Sequence, residues 1–296
     1  MRIDERIAKN GQPSFSFEFF PPRTGDGERN LAAALAELSY MDPTFVSVTY
    51  GAGGTQDQRE KTIDIVAGIK ADHGLEAMAH FTCVGATVDE LRATLDTMRE
   101  AGIDNVLALR GDPPSGETDW TATEGGLSYS RELIELIRED YDFSIGAAAF
   151  PETHIHASSR EDDLVYLKEK VGAGARFLIT QLFYDNAAYW DFVERARDIG
   201  IDVPIIPGIM PITNVAQIKR ITEMCGSIIP APLLAELEAR REEPEAVTDF
   251  GVAYATLQCA DLLARGVPGI HFYTLNRSPA TRAILSALRA MRPWEA

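Results

Sequence analysis

Short runs of apolar and β-branched residues recur along the chain, and a helical pattern of polar and apolar positions follows each of them. Most runs begin about 30 residues after the previous one, which is the length of one strand–helix–strand repeat. The runs begin near Ser14, Phe45, Leu75, Asn105, Asp142, Arg176, Val203 and Gly269. The pattern therefore predicts eight strands that alternate with helices.

The predicted strands are apolar at nearly every position. Residues 45–49 and 105–109 show this best, and it is typical of parallel strands that are buried on both faces. Eight such strands and eight helices make a (β/α)8 barrel, the TIM barrel of the α/β class. We therefore expect residues 1–296 to form one barrel domain. The long interval before the last strand leaves room for extra helices near residues 230–240 and 246–265.

An open, doubly wound sheet is the alternative fold. It would require a glycine-rich phosphate-binding turn after the first strand. Residues 19–23, Phe-Phe-Pro-Pro-Arg, do not match that motif. The segment richest in loop-forming residues, 111–119, is too short to separate two domains.

Composition excludes several classes of protein. The chain has 45 acidic and 28 basic residues, a net charge of −17, which would repel nucleic acid and anionic membranes. The chain contains no run of about 18 apolar residues, so no membrane helix is predicted. Its first residues do not lead into the apolar segment of a signal peptide. The three cysteines lack metal-ligand spacing. We therefore expect a cytoplasmic protein with buried free thiols.

Polar residues follow seven of the eight predicted strands at their carboxyl ends, where a (β/α)8 barrel carries its chemistry. One such residue alone is more often structural than functional, but seven in agreement indicate a polar site. They are Ser16 and Glu18, Thr49 and Tyr50, His80, Arg110 and Asp112, Glu152 and His154, Thr180 and Gln181, and Asn276 and Arg277; the seventh strand lacks one.

Glu18 is the strongest candidate for acid–base chemistry. It lies between Phe17 and two further phenylalanines, just before two prolines. We expect loss of hydration to raise the pKa of Glu18, so that it holds a proton to donate at neutral pH. The alternative is a structural carboxylate paired with an arginine of the barrel, because ion pairs also perturb pKa values.

Asp112 follows Arg110 after one glycine. It could simply cap a turn in a loop rich in glycine and proline. Its functional interpretation is a carboxylate that accepts two parallel N–H bonds from a planar heterocycle. Lys170 is by default a solvated lysine, and the glycines of residues 51–54 could approach a phosphate but more often form a turn.

The ordered motifs together resemble the methylenetetrahydrofolate reductase family. They are Ser-Phe-Ser-Phe-Glu-Phe-Phe-Pro-Pro-Arg-Thr from residue 14, Val-Ser-Val-Thr-Tyr-Gly from 46, Leu-Arg-Gly-Asp from 109, Ile-Thr-Gln-Leu-Phe-Tyr-Asp from 179, Ile-Pro-Gly-Ile from 206 and His-Phe-Tyr-Thr-Leu-Asn-Arg from 271. The resemblance extends from about residue 14 to residue 289 and covers the catalytic domain alone.

The resemblance implies a (β/α)8 barrel with non-covalent FAD. NADH or NADPH reduces the flavin and leaves, and methylenetetrahydrofolate then takes its place and is reduced to methyltetrahydrofolate, a methyl source for methionine synthesis. Short bacterial-type chains of the family resemble NADH users, which favours NADH. Small molecules are the expected partners, together with further copies of the chain in a homo-oligomer.

The resemblance also implies roles for individual residues. Glu18 is the acid that opens the five-membered ring of the folate, Asp112 binds the pterin beside the flavin, and Gln181 lies where nicotinamide and folate alternate. Gln217 and Arg277 are on the folate side. Cofactor contacts are expected from Thr49, Tyr50, Ala52, His80, Arg110, Gly111, Asp112, Ser130, Phe150, His154, Ala157, Asp163, Tyr166 and Lys170, with Thr49 near the nicotinamide nucleotide.

Two residues depart from the family pattern. Phe150 replaces a frequent tyrosine, so one hydroxyl contact to FAD is absent, and Ile221 replaces an aromatic residue that stacks on the bound ring.

Two other functions are possible for such a barrel. An aldolase would need a Schiff-base lysine at a strand end, and no predicted strand offers one. A barrel that binds folate or flavin without turnover would have little use for Glu18 and Gln181.

Overall fold

The computed structural model describes residues 1–9, 11–50, 56–112 and 123–295, and the strands within them form one parallel sheet. These strands are β1 (Ser14–Phe19), β2 (Phe45–Val48), β3 (Ala77–Thr82), β4 (Asn105–Leu109), β5 (Ser144–Ala149), β6 (Phe177–Thr180), β7 (Ile205–Ile206), β8 (Gly208–Ile209) and β9 (Gly269–Tyr273). Each of the eight predicted starts lies within two residues of an observed one.

Helices follow the strands as predicted. They are α1 (Ile3–Lys9), α2 (Gly25–Ser39), α3 (Gln56–His73), α4 (Val88–Glu100), α5 (Ser130–Asp140), α6 (Arg160–Ala173), α7 (Asn186–Asp198), α8 (Val215–Cys225), α9 (Ala231–Ala239), α10 (Pro244–Ala264) and α11 (Pro279–Met291), with a 3-10 turn at Pro293–Glu295. The extra helices expected before the last strand are α9 and α10. In the ranges described above, no helix is both long and apolar enough to cross a membrane.

The sheet closes into a barrel through its seventh strand, so the predicted (β/α)8 fold is confirmed. The strand order is β7-β6-β5-β4-β3-β2-β1-β9-β8, and β7 and β8 are separated only by Pro207. Sequence predicts one continuous seventh strand, but proline has no N–H for a ladder hydrogen bond. Consequently β7 pairs with β6 and β8 pairs with β9.

Helix α1 was not predicted, and it closes the amino-terminal end of the barrel. Ile3 is fully buried in a cluster with Phe45 and Phe177, the first residues of β2 and β6. The backbone N–H of Ile3 also donates to Oδ1 of Asn105 at 2.8 Å. The carboxyl ends of the strands surround the opposite end, where polar residues were predicted.

Side chains hold the two edges together at the split strand. The N–H of Gly208 donates to the hydroxyl of Thr180 at 2.9 Å, and the Tyr273 hydroxyl donates to the carbonyl of Thr180 at 2.6 Å. A Cβ on residue 208 would lie 2.2 Å from that carbonyl oxygen and 2.7 Å from the Tyr273 ring. Only glycine leaves room for this approach.

We expect Gly208→Ala to lower the free energy of unfolding by about 1–3 kcal/mol, the usual range for an overpacked site. Gly172→Ala is the matched control, because a Cβ there meets nothing within 4 Å; alanine in a helix should be neutral or stabilising by up to ~1 kcal/mol. Urea unfolding of both variants measures the difference. Equal midpoints for Gly208→Ala and the unchanged protein would refute this account of the closure.

Candidate active site

A cavity of about 960 Å³ opens at the carboxyl ends of the strands. Of the residues expected at the site, it is lined by Glu18, Thr49, Tyr50, His80, Arg110, Gly111, Asp112, Ser130, Phe150, His154, Ala157, Asp163, Tyr166, Lys170 and Gln181. Gln217 and Arg277 are exposed and are not among its lining residues. Ala52 and the glycines near it lie outside the described residues.

Glu18 lies against two histidines from neighbouring strands of the barrel. Its Oε2 is 3.3 Å from Nε2 of His80 on β3 and 3.5 Å from Nε2 of His271 on β9. The Glu18 side chain is 17% exposed and lines the cavity, whereas His271 is fully buried. A carboxylate and two imidazoles therefore share one small polar region beneath the mouth of the barrel.

Ser16 fixes the orientation of His271. Its hydroxyl oxygen is 2.8 Å from Nδ1 of His271, and it comes from the same face of β1 as Glu18 because alternate residues of a strand share a face. A bare Nε2 would be repelled by the carboxylate, so we assign the hydrogen to Nε2 and let Nδ1 accept from the Ser16 hydroxyl. When the ring is charged, Nδ1–H donates to Ser16 instead.

The expected direction of the Glu18 pKa is wrong for this structure. Burial acts to raise the pKa of Glu18, but hydrogen bonds from His271 and His80 outweigh burial and lower the pKa to about 2. The arginine partner considered as an alternative is also replaced by these histidines. Sequence reasoning missed His271, although it begins the last of the motifs that carry the family resemblance.

Cationic groups collect on the opposite side of the cavity. Lys170 on α6 donates to the carbonyl of Ala148 at 2.6 Å, so it is not the solvated lysine that the sequence suggests. Burial lowers the pKa of Lys170 to about 8, although Asp163 acts to raise it. Arg110 lines the same cavity, and its Nε donates to the carbonyl of Gly111.

His154 is held as a neutral N–H donor beside these cations. Burial, with Arg110 and other nearby groups, lowers the pKa of His154 to about 4. Nδ1 of His154 accepts the backbone N–H of His156 at 3.1 Å, which leaves the hydrogen on Nε2. The carboxylate of Asp163 accepts the backbone N–H of His154 at 3.0 Å and anchors the loop.

Gln181, the first residue after β6, presents its amide N–H groups to the cavity. Its own Oε1 accepts the backbone N–H of Leu182 at 2.9 Å. One lone pair of the side-chain oxygen is thus engaged, and the NH₂ group can donate to a ligand.

Asp112 lies on the rim of the cavity and is exposed. The preceding Gly111 has φ +93°, and a Cβ there would lie 2.4 Å from the Val84 side chain. Glycine is therefore required for the chain to turn between Arg110 and Asp112. Residues 113–122 lie outside the described part of the chain.

The outer wall is apolar and built largely from helix α8. Ile221, Met224 and Cys225 all line the cavity from that helix. Ile221 supplies aliphatic surface where an aromatic residue was expected from the family pattern. Phe150 instead packs against His154, with ring centroids 4.6 Å apart.

All three cysteines are free, and Cys83 and Cys259 are buried as expected. Cys225, in contrast, is partly exposed in the cavity wall. Within the described residues there is no cluster of three or more histidine, cysteine, aspartate or glutamate side chains that could hold a metal ion.

Comparison with known proteins identifies close relatives. The chain is 42% identical over 294 residues to 5,10-methylenetetrahydrofolate reductase of Escherichia coli, covering 98% of this chain and 96% of that protein. It is 41% identical over 293 residues to methylenetetrahydrofolate reductase (NADH) 1 of Arabidopsis thaliana, covering 95% of this chain. The chain spans about half the length of the plant relatives, 49% in the Arabidopsis case.

The fold also has a solved counterpart. A protein from Clostridium thermocellum, described as binding two copies of 5-methyl-5,6,7,8-tetrahydrofolic acid, superposes with a TM-score of 0.67 over 98% of this chain. At 17% identity, this likeness shows the fold alone.

A sequence profile of one family, methylenetetrahydrofolate reductase, matches residues 2–289. The match includes the strand that carries Glu18, the loops that carry Asp112 and Gln181, and the strand that carries His271. The chain therefore belongs to the methylenetetrahydrofolate reductase family.

Proposed function

We propose that this protein is an FAD-dependent enzyme that reduces methylenetetrahydrofolate to methyltetrahydrofolate with NADH, as a step that supplies methyl groups for methionine synthesis. Family membership supports the reaction class. The plant relatives are named as NADH enzymes, which favours NADH over NADPH. The observation that carries the proposal is a carboxylate, Glu18, held by two imidazoles at the wall of a large cavity.

The residues of the cavity fit FAD. Lys170, Arg110 and the Nε2–H of His154 offer cationic and donor groups for a diphosphate, and Leu107 and Ala108 offer an apolar wall for a flat ring. The volume is near the upper end for small-molecule sites, as a dinucleotide requires. Bound FAD would supply the two-electron transfer between nucleotide and folate, which no protein side chain provides.

Glu18 has to deliver the proton that opens the five-membered ring of the folate. In the structure its carboxylate is anionic at neutral pH, so the proton must reach it from a neighbour. His80 and His271 are the neighbours, with their Nε2 atoms 3.3 and 3.5 Å from Oε2 of Glu18. We therefore assign the proton to the cluster of Glu18 and the two imidazoles, and its transfer to the ring nitrogen of the folate to Glu18.

Asp112 and Gln181 orient the ring. The exposed carboxylate of Asp112 can accept two N–H bonds from the amidine-like edge of a pterin. The NH₂ group of Gln181 can donate to a carbonyl oxygen, which both a nicotinamide carboxamide and a pterin possess. One donor can serve only one ring at a time, so nucleotide and folate should alternate at this position.

We expect Glu18→Gln to retain FAD and to be reduced by NADH at a rate near that of the unchanged enzyme. Transfer to methylenetetrahydrofolate should fall by at least about a hundredfold, the lower end of what a positioned proton donor contributes. Anaerobic stopped-flow absorbance measures each half-reaction separately, and Glu100→Gln, on the exposed end of α4, is the control. Normal folate turnover in Glu18→Gln would exclude Glu18 as the acid.

The affinity for FAD should fall as the pH rises above 8. Lys170 is charged below its pKa of about 8, and loss of that charge should weaken diphosphate binding by roughly tenfold between pH 7 and pH 9. Lys170→Ala should bind more weakly and lose this pH dependence, whereas Lys168→Ala, exposed on the same helix, should keep it. Titration of flavin-free protein with FAD at several pH values measures how the affinity depends on pH in the unchanged protein and in the two variants. A pH dependence that survives in Lys170→Ala would show that the diphosphate lies elsewhere.

Steady-state kinetics should give parallel double-reciprocal lines for NADH and folate, because the Gln181 amide can serve only one ring at a time. Gln181→Glu keeps an acceptor for Leu182 N–H but loses the donor, so both half-reactions should slow, by unequal amounts. Gln181→Met removes the donor without adding charge and separates the two effects. Intersecting lines in the unchanged enzyme would mean that both substrates bind together, and the shared position would be wrong.

A further inference from the structure

The side-chain amide of Asn276 is bonded to the backbone of Phe20, the residue after β1. Oδ1 of Asn276 accepts the N–H of Phe20 at 2.9 Å, and Nδ2 donates to the carbonyl of Phe20 at 2.8 Å. Asn276 is 4% exposed. Both backbone groups of Phe20 are therefore satisfied by one side chain from the loop that follows β9.

This amide continues the β1–β9 pairing beyond the last strand residue. Glu18 is paired with Tyr273 at the end of the ladder, and the next residue, Thr274, donates its hydroxyl to the carbonyl of Glu18 at 2.6 Å. The same hydroxyl accepts the N–H of Asn276 at 3.2 Å. The side-chain amide of Asn276 thus makes the two hydrogen bonds that a further peptide unit of β9 would make with Phe20.

The loop adopts an uncommon backbone conformation to achieve this. Leu275 and Asn276 have φ angles of +51° and +56°. Asparagine tolerates the left-handed region, but leucine is rarely found there. Two successive residues of this kind persist only where their surroundings hold them, and such positions are concentrated at functional sites.

The bonded segment joins Glu18, the proton donor of the proposed function, to Arg277, which the family resemblance implies is on the folate side. On one side is Glu18, whose carbonyl is held by Thr274 and whose carboxylate lies on the imidazoles. On the other side is Arg277, which is exposed and whose N–H donates to the carbonyl of Thr274 at 3.0 Å. A guanidinium at this place suits an anionic tail such as a carboxylate.

We propose that Asn276 is a positioning residue, which clamps the end of β1 to the loop after β9 and so fixes Glu18 relative to Arg277. The inference rests on the proposed function, in which Glu18 protonates the folate, and on the family resemblance, which implies that Arg277 is on the folate side. The clamp thereby fixes the distance between Glu18, which protonates the ring of the ligand, and Arg277, which would bind the anionic tail of the same ligand. The nucleotide does not require this register, so the clamp should matter for the folate alone.

Asn276→Gly and Asn276→Asp test the clamp. Glycine accepts the positive φ and removes both bonds to Phe20, whereas aspartate keeps the acceptor but places an oxygen against the Phe20 carbonyl. In both holoenzymes we expect FAD content and the NADH half-reaction to stay within about twofold of the unchanged enzyme. The dissociation constant for methyltetrahydrofolate, measured by calorimetry, and the KM for methylenetetrahydrofolate should rise about tenfold or more.

If Asn276 had a purely structural role, its variants would lose stability without this difference between the NADH half-reaction and folate binding. Ile284→Val, a buried change on α11, is the control for lost stability and should leave folate binding unchanged. In an Arg277→Ala background, Asn276→Gly should weaken folate binding no further, because the guanidinium whose position Asn276 fixes is already absent. Amide exchange at Phe20, slow in the unchanged protein, should become fast in Asn276→Gly, which loses the acceptor, and stay slower in Asn276→Asp, which keeps it.

Three results would overturn the inference. They are folate binding at the unchanged affinity in Asn276→Gly, an equal loss in the two half-reactions, or additive losses with Arg277→Ala. If the unchanged holoenzyme neither binds nor reduces the folate, the proposed function fails as well. These outcomes are distinguishable, since the first three presuppose an active enzyme.

Discussion

Closure of the parallel sheet at Pro207 is the constraint on which the site depends. A sheet that remained open between β7 and β8 would leave the ends of β6 and β9 apart, and with them Gln181 and His271. The break at the proline lets each half of the seventh strand pair with a different neighbour. Because Tyr273 and Thr180 then bond across the gap, the strand ends form one ring around the cavity.

The cavity needs its own cationic and donor groups because the protein as a whole is acidic. A net charge of −17 disfavours any bound anion at long range, so an anionic ligand must be held by local groups. Lys170 and the neutral His154 donor are such groups, and both are shifted by burial toward the uncharged form. Lys170 is still charged at neutral pH, because its pKa of about 8 lies above 7, and a bound diphosphate would raise that pKa again.

Sequence predicts the barrel well because its signals are local. Each apolar run is a few residues long and is detected without knowing its neighbours, so the strand starts agree within two residues. Helix α1 escaped prediction because seven mostly charged residues give little periodic signal. Its role depends on Ile3 and Ile7, which pack against residues distant in the chain.

The position of Glu18 is also predictable from sequence, but the direction of its pKa is not. The flanking phenylalanines indicate burial, and burial alone would raise the pKa. The opposing groups, His80 and His271, come from β3 and β9, and only the register of the closed barrel brings them to one carboxylate oxygen. No residue near Glu18 in the sequence indicates that His80 and His271 lie beside it.

In the proposed reaction, in which nucleotide and folate would alternate, the imidazoles change what the carboxylate can do. An isolated buried carboxyl would stay protonated through both half-reactions, although only the folate needs a proton. Here the carboxylate is anionic in the open cavity, and the Nε2 atoms of His80 and His271 lie 3.3 and 3.5 Å from its Oε2. A ligand that displaces water weakens the solvation of the anion and favours transfer of a proton to it. Because Ser16 holds Nδ1 of His271, Nε2 of that ring stays directed at Glu18 and favours the anionic carboxylate while the cavity is open. Uptake and delivery of the proton by Glu18 then become conditional on the ligand that fills the site.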